Sequence, residues 1–407
     1  MTVYYLLLLL IVGLGLWIGR DGQGRAKRAL YVGTVTLALI AVASLRYGIG
    51  FDYPNYIKYL FPQIRALPWG ELLSSPAEPG FTILTKALMA ISDTPFFLYT
   101  VYAVLTIGIV GYVVYRHSAL PWLSMFCFVT LQYFASSMNL MRQTLAAAIC
   151  LLAIPYLQKR RPLPYFLIVL LAASFHKTAL ILVAVYFLTL LPLNRYTAAA
   201  YAGGGLLIFL FSDFLMELAL RFTNKTYTAG TVFYEGSSFS YIVILILLAA
   251  GVLLAGKRLL IKDERNVVYL DYMIYGIFFS ALIVRHSIVE RFALYFMMAL
   301  ILTVPMMVLS LRPDENAPVK SDGKFRSDKA KAAYERGQRR EQRQVYYSVL
   351  AGVCVLCFVH FLLAANYKFH NTYPYYSIFS DEARSGQEIV YIPYGSDEPF
   401  QGLYVEE

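Results

Sequence analysis

The sequence predicts an all-α, polytopic integral membrane protein with about twelve transmembrane helices. Hydrophobic residues make up 59% of the 407 residues and mean hydropathy is +0.57, whereas soluble globular domains are roughly 45–50% apolar. Apolar runs of about 20 residues, each long enough to cross about 30 Å of hydrocarbon, recur along nearly the whole chain. Residues 1–365 are therefore expected to form a single transmembrane domain.

The charges of the connecting segments predict how the spans are oriented. Lysine and arginine cluster in short segments between apolar runs, which is typical of cytoplasmic loops. This distribution explains most of the net charge of +10, so no nucleic-acid partner is expected. Residues 312–344 are predicted to form a charged cytoplasmic loop. Outer loops are predicted at 46–95 and 213–237, and residues 366–407 are predicted to form an acidic, aromatic-containing extracytoplasmic tail.

Two irregular segments follow from keeping every loop on its predicted side. The apolar segment 79–92 is too short for a span, so it is predicted to be a re-entrant or interfacial helix in the first large outer loop. The long apolar run 163–191 is interrupted by Phe175-His176-Lys177, which predicts two short helices that meet at the outer surface. Non-helical backbone at membrane depth is tolerated where it is buried in protein or lines a cavity.

Polar residues collect at the outer ends of the predicted spans. A charged side chain near the bilayer needs a partner or a water-filled cavity, so a group of them at one end predicts a shared outward-facing cavity. The group comprises Arg46, Asp52, Glu78, Arg142, His176, Lys177, Arg285, His286, Glu290 and Arg291.

Arg46 and Asp52 lie in the stretch LRYGIGFDY, in which Gly48 and Gly50 permit unusual backbone torsions. An arginine at the end of a span commonly snorkels to the lipid headgroups. The glycines, the carboxylate and the neighbouring tyrosines favour instead a loop that folds back over the mouth of the membrane span. Asp52 is a candidate general base, arginine partner or sugar ligand.

Arg142 and Gln143 begin a helix rich in alanine, and a helix N-terminus that carries an arginine favours anion binding. An interfacial arginine that simply begins a span is the alternative interpretation. Arg285 and Arg291 flank a short outer turn that contains Glu290. Arginine–glutamate pairing and anion binding both explain this arrangement, and guanidinium groups suit the oxygens of a diphosphate.

His176 lies between two apolar stretches, where a histidine is more often a hydrogen-bonded core group than a catalyst. Its place at the predicted helix break, and the suitability of imidazole for proton transfer near neutral pH, favour a functional role. The sequence has no Gly-rich phosphate loop, H-E-x-x-H or G-x-S-x-G motif. The pair Cys354-x-x-Cys357 has no second pair to complete a zinc site. Neither a metal site nor a cofactor is predicted.

Five short motifs occur in order along most of the chain, and together they resemble the EpsG-like branch of the Wzy-type polysaccharide polymerases. They are RYGIGFDYxxY from Arg46, EPGF from Glu78, MRQxLA from Met141, FHKxAL from Phe175 and YPY from Tyr373.

The resemblance implies an inverting, metal-independent membrane glycosyltransferase in the bacterial cytoplasmic membrane, with its active site on the extracytoplasmic side. Such proteins transfer a growing glycan from undecaprenyl diphosphate to an incoming lipid-linked repeat unit. The expected partners are undecaprenyl-diphosphate-linked oligosaccharide, the lipid bilayer and a chain-length regulator. No cofactor is implied.

The same resemblance suggests roles for the polar residues. Arg142 with either Arg285 or Arg291 would bind the diphosphate, and His176 or Asp52 would be the general base. Glu78 would bind a sugar hydroxyl or orient an arginine. The full substrate-binding set is expected to be Arg46, Glu78, Arg142, Gln143, Lys177, Arg285 and Arg291.

Two other functions fit the sequence. A glycosyltransferase that uses a polyprenyl monophosphate sugar also carries a carboxylate in an early outer loop, where Asp52 lies, and usually needs a metal. A flippase or transporter of lipid-linked oligosaccharide would also have a cationic cavity, but it should carry polar residues at mid-membrane depth.

Overall fold

The computed structural model describes residues 1–18, 24–220, 240–313 and 328–386, and these residues form a helical protein. No strand occurs within these ranges, where an isolated backbone bridge joins Arg46 to Ser377. The all-α prediction is confirmed for the described part of the chain. Parts of three predicted segments lie outside it: residues 221–237 of the second outer loop, 314–327 of the charged loop and 387–407 of the tail.

The first half of the chain forms short and long helices joined by tight turns. They are α1 (Thr2–Ile18), α2 (Arg25–Ser44), α3 (Tyr53–Asn55), α4 (Phe61–Ala66), α5 (Pro79–Met89), α6 (Pro95–His117), α7 (Pro121–Thr130), α8 (Tyr133–Asn139), α9 (Met141–Leu151), α10 (Ile154–Gln158), α11 (Pro162–Ala173) and α12 (Ile181–Leu188).

The second half of the described chain continues the bundle. Its helices are α13 (Arg195–Leu210), α14 (Ser212–Leu220), α15 (Ser240–Lys262), α16 (Val267–Arg285), α17 (Glu290–Met297), α18 (Leu300–Ser310), α19 (Asp328–Asn366) and α20 (Asp381–Arg384). Helix α19 has 39 residues, so it is about 58 Å long at 1.5 Å per residue. Residues 328–344 of the predicted charged loop form the beginning of this helix.

Five helices among the described residues are long and apolar enough to cross a membrane. They are Arg25–Ser44, Pro95–His117, Ser240–Lys262, Glu264–Arg285 and Asp328–Asn366. Two bent pairs, α13 with α14 at 67° and α17 with α18 at 57°, raise the number to seven if each pair is one span. The protein is thus an integral membrane protein, but the predicted twelve crossings are not confirmed.

Helix breaks account for much of the difference between the predicted and observed spans. The largely apolar residues 119–157 are divided into four helices. Gln132 adopts a left-handed backbone with φ of 69°, which separates α7 from α8. Leu140 leaves the helical region before α9 begins. The break predicted at His176 is present between α11 and the 3-10 turn at Lys177–Leu180.

Helices α7 to α9 form the centre of the bundle. Their residues are almost all buried, and Ala146, Ala147 and Ala148 are at most 1% exposed. Peripheral helices instead carry exposed large apolar side chains, as a lipid-facing surface requires; examples are Leu9, Trp17, Leu37, Leu167, Leu206 and Leu253. The N-terminus of α9, where Arg142 lies, is therefore at one end of the innermost helix.

Helix α2 approaches α6 closely at a glycine. A Cβ added to Gly111 would overlap the hydroxyl of Thr36 and lie 2.9 Å from its methyl carbon, whereas Gly108 on the same helix has open space around it. Small residues at such contacts let membrane helices pack closely.

We expect Gly111→Ala to lower the thermal stability of the detergent-solubilised protein relative to Gly108→Ala, because overpacking costs about 1–3 kcal/mol. Adding Thr36→Ala to Gly111→Ala should restore the melting temperature. Equal melting temperatures for the two single variants would contradict this packing.

Candidate functional site

An ion pair between α5 and α9 lies at the centre of the candidate site. Arg142, the second residue of α9, donates from Nη1 to Oε2 of Glu78 at 2.7 Å. The side chains of Arg142 and Glu78 are 26% and 13% exposed. A further hydrogen bond joins Arg142 to the Tyr56 side chain, and its guanidinium lies over the ring of Phe81, 5.6 Å from the centroid. The Nε of Arg142 is buried without a hydrogen-bond partner among the described residues.

The sequence EPGF explains how Glu78 is placed. Glu78 is the residue before α5, and Pro79 begins the helix. Gly80 approaches the helix break so closely that a Cβ would lie 2.8 Å from the carbonyl oxygen of Ser174. That oxygen accepts hydrogen bonds from the N–H groups of Gly80 at 2.7 Å and Phe81 at 3.3 Å. The helix is thereby docked onto the carbonyl at the end of α11.

His176 and Lys177 lie at the same break. The backbone N–H of Lys177 donates to Oε1 of Glu78 at 3.2 Å, so Glu78 bridges the break and Arg142. The Nδ1 of His176 accepts from the N–H of Thr178 at 3.4 Å and lies 2.7 Å from its hydroxyl. That hydroxyl lies 2.9 Å from the hydroxyl of Tyr295.

These contacts assign the proton of neutral His176. Because the backbone N–H of Thr178 can only donate, Nδ1 is the acceptor and the proton is on Nε2. Burial lowers the pKa of His176 to about 4, and the charges of Arg142 and Arg291 act in the same direction while Glu78 opposes them. The imidazole is therefore neutral near pH 7, with Nε2–H as a donor.

Asp52 lies within electrostatic reach of the same arginines. Burial raises the pKa of its carboxyl group above the usual value, and the positive charges of Arg291 and Arg142 oppose this shift. Its backbone N–H donates to Oδ1 of Asn139 at 2.9 Å. Gly50 has φ of +100°, and a Cβ there would lie 3.0 Å from both Cα and Oδ1 of Asn139. Glycine at position 50 is therefore what lets this segment approach Asn139.

Three predicted binding residues have other surroundings. Arg46 is 3% exposed and stacks over the ring of Tyr99, 4.3 Å from the centroid. The side-chain amide of Gln143 donates to the carbonyl of Arg291. The guanidinium of Arg285 donates to Asp213 and to the carbonyl of Phe209 at 2.8 Å.

The structure thus brings together six of the predicted residues and adds others that the sequence did not single out. The six are Asp52, Glu78, Arg142, His176, Lys177 and Arg291. The added ones are Asn139, Thr178, Tyr295 and His370, and Tyr56, the last residue of the first motif, lies with them. Asn139 precedes the MRQxLA motif and His370 precedes the YPY motif. Their proximity to these motifs is the sequence feature that could have indicated them as site residues. No group of three or more His, Cys, Asp or Glu side chains in the described ranges is placed to hold a metal ion.

A family model described as EpsG family matches residues 29–317, which is more than half of the chain. The chain belongs to the EpsG family. No curated protein and no solved structure gives a match. Membership and the apolar helices together make this EpsG-family protein an integral membrane protein of polysaccharide biosynthesis.

We expect Gly50→Ala to reduce the polysaccharide made per folded molecule roughly tenfold or more, because a Cβ 3.0 Å from Asn139 and the φ of +100° would force the segment that carries Asp52 to shift. The measurement is polysaccharide yield in a deletion strain complemented with each variant. Gly70→Ala is the matched control, because a Cβ at Gly70 meets open space. A wild-type polysaccharide yield from well-expressed Gly50→Ala would contradict the assignment of Asp52 to the functional site.

Proposed function

We propose that this protein is a polysaccharide polymerase that transfers a growing glycan from undecaprenyl diphosphate to an incoming lipid-linked repeat unit. The observation that carries the proposal is the Glu78–Arg142 pair beside Asp52, at the end of the innermost helix. Arg142 and Arg291 would bind the diphosphate, and Glu78 would orient Arg142. This arrangement fits a donor that leaves as a diphosphate, whose oxygens accept bidentate hydrogen bonds.

The proposed face is the extracytoplasmic side of the bacterial cytoplasmic membrane. Basic residues of the connecting segments make contacts at the opposite end of the bundle. Arg28 donates to the carbonyl of Ser118 at 2.7 Å, and Arg160 donates to Thr189 at 3.2 Å. The positive-inside rule favours that end as cytoplasmic. The proposal retains twelve crossings, in which short helices such as α7 and α11 contribute to spans.

The proposed reaction is a single displacement at the anomeric carbon. The acceptor hydroxyl oxygen forms the new bond, its proton passes to the carboxylate of Asp52, and the bond to the diphosphate breaks. The diphosphate leaves with the electron pair, and Arg142 and Arg291 stabilise its charge. Asp52 is favoured over His176 as the base, because Nε2 of His176 carries a proton and Nδ1 is engaged by Thr178. His176 would donate from Nε2 to the substrate.

The decisive experiment is reconstitution of the purified protein in vesicles with a lipid-linked repeat unit, followed by gel analysis of product length. Long glycans that form in the presence of EDTA would support the proposal. Chain growth abolished by EDTA would favour the polyprenyl monophosphate enzyme. Lipid scrambling without chain growth would identify a flippase.

We expect Arg142→Ala to lower the polymerisation rate on the order of 10²-fold, because the loss of a preorganised donor to the leaving group has this effect in other enzymes. Cells should then accumulate single lipid-linked repeat units. Arg285→Ala, an arginine at the same end of the bundle that pairs with Asp213, is the matched control and should retain long chains. The assignment fails if both variants give the same glycan profile.

We expect His176→Gln to retain more activity than His176→Ala, because a glutamine amide can replace the Nε2–H donor.

With a pKa of about 4, His176 stays neutral above about pH 5, so its titration should not alter the rate between pH 5.5 and 8. The rate should instead fall at low pH as the carboxylate of Asp52 is protonated, at a pH above the usual range for aspartate. A rate loss centred near pH 6.5 that vanishes in His176→Gln would contradict this.

A further inference from the structure

A continuous chain of hydrogen bonds joins Asp52 to the segment that follows the last long helix. The N–H of Asp52 donates to Oδ1 of Asn139 at 2.9 Å, and Nδ2 of Asn139 lies 2.7 Å from Nδ1 of His370. The Nε2 of His370 lies 2.9 Å from Oε1 of Glu290. The four residues come from the segment after α2, the end of α8, the segment after α19 and the start of α17.

The direction of every bond in this chain follows from its first donor. A backbone N–H can only donate, so the oxygen of the Asn139 amide faces Asp52 and its NH₂ group faces His370. Nδ1 of His370 must then accept, which leaves the proton on Nε2 for donation to the Glu290 carboxylate. Because both imidazole nitrogens are engaged, His370 is placed to hold its neighbours rather than to exchange protons with a substrate.

The backbone on either side is fixed by the same segment. The N–H of Gly50 donates to the carbonyl of Asn371 at 3.1 Å, and that of Phe51 donates to the carbonyl of His370 at 3.3 Å. Three consecutive N–H groups, at residues 50, 51 and 52, are therefore bonded. The carboxylate of Asp52, which this bonded backbone carries, lies within electrostatic reach of Arg142 and Arg291, whose charges lower its pKa.

His370 and Asn371 hold this position at a conformational cost. Their φ values are +52° and +54°, a left-handed region in which glycine is favoured over residues with a Cβ. Strained backbone that persists in a folded protein often marks a functional site. The side chain at 370 supplies two hydrogen bonds that glycine could not.

We propose that Asn139, His370 and Glu290 are positioning residues that fix the Asp52 carboxylate beside the diphosphate-binding arginines. The inference rests on the proposed function, in which Asp52 accepts the proton of the acceptor hydroxyl. His370 lies beyond residue 317, where the family match ends. The segment after α19 thus completes a site whose other residues lie within the matched region.

The test compares His370→Gly with Asn371→Gly in reconstituted vesicles supplied with a lipid-linked repeat unit. Both substitutions suit the left-handed backbone. Because His370→Gly also removes two side-chain hydrogen bonds, it should lower the melting temperature, whereas Asn371→Gly should not, and kcat is therefore compared per folded molecule. His370→Gly should lower kcat on the order of tenfold or more, because it misplaces the base. Its KM should stay unchanged, because Arg142 and Arg291 still bind the donor. Asn371→Gly should keep the wild-type kcat.

Asn139→Ala provides a second, independent variant. It should lower kcat as His370→Gly does, and the double variant should be no slower than the slower single variant, because the two residues act in series. Equal kcat values for His370→Gly and Asn371→Gly would overturn the positioning role, as would a raised KM with unchanged kcat.

Asp52→Asn separates failure of this inference from failure of the proposed function. If Asp52→Asn is inactive while His370→Gly and Asn139→Ala match the wild type, the positioning role is wrong and the role of Asp52 stands. If Asp52→Asn polymerises at the wild-type rate, the proposed role of Asp52 is wrong, and the positioning role falls with it.

Discussion

Backbone groups that are released where a helix breaks inside an apolar bundle must find hydrogen-bond partners, since lipid and apolar side chains offer none. The candidate site is made of such breaks bonded to one another. The carbonyl of Ser174, at the end of α11, accepts from the first turn of α5 at Gly80 and Phe81. The N–H groups of Gly50 and Phe51 are bonded by the segment after α19. Satisfying the backbone brings distant parts of the sequence to one end of the bundle.

The arginines at this end show how the same residue type serves different purposes. Arg46 is buried against the face of Tyr99, a contact that stabilises a cation without neutralising it. Arg285 is paired with Asp213 on the neighbouring bent helix pair. Arg142 is paired with a carboxylate that also accepts a hydrogen bond from the backbone N–H of Lys177 at a helix break. Its orientation is therefore fixed by backbone geometry, as a preorganised anion site requires.

Much of the fold class and part of the site could be predicted from the sequence. Hydropathy predicted an all-helical membrane protein, and the interruption at His176 predicted a real break. The helix boundaries differ from the predicted ones where a single residue such as Gln132 turns the chain within an apolar run, because hydropathy reports burial and not backbone continuity. The charged residues at the outer ends of the predicted spans indicated Arg142 and Glu78 as site residues. They indicated Arg285 as well, because composition cannot show that Asp213 is its partner.

His370 was missed for a related reason. His370 lies in a polar, acidic segment of a kind typical of solvated tails. Nothing in the spacing of the residues indicates the left-handed turn that places His370 next to Asn139. The only local signal was the YPY motif that follows. Tyr373 donates to the side-chain oxygen of Gln132 at 2.7 Å, so this segment is tied to a central helix break as well. Interactions between irregular segments have no periodic pattern, and sequence periodicity therefore cannot predict them.

Under the proposed function, the charges around Asp52 link donor binding to base strength. Burial raises the pKa of its carboxyl group while Arg291 and Arg142 hold it down. A bound diphosphate would neutralise these two cations, so the lowering influence weakens and the carboxylate becomes a stronger base. The base would reach its full strength only when the donor is in place. This coupling requires the carboxylate to stay beside the arginines throughout, which is what the bonded backbone of residues 50–52 provides.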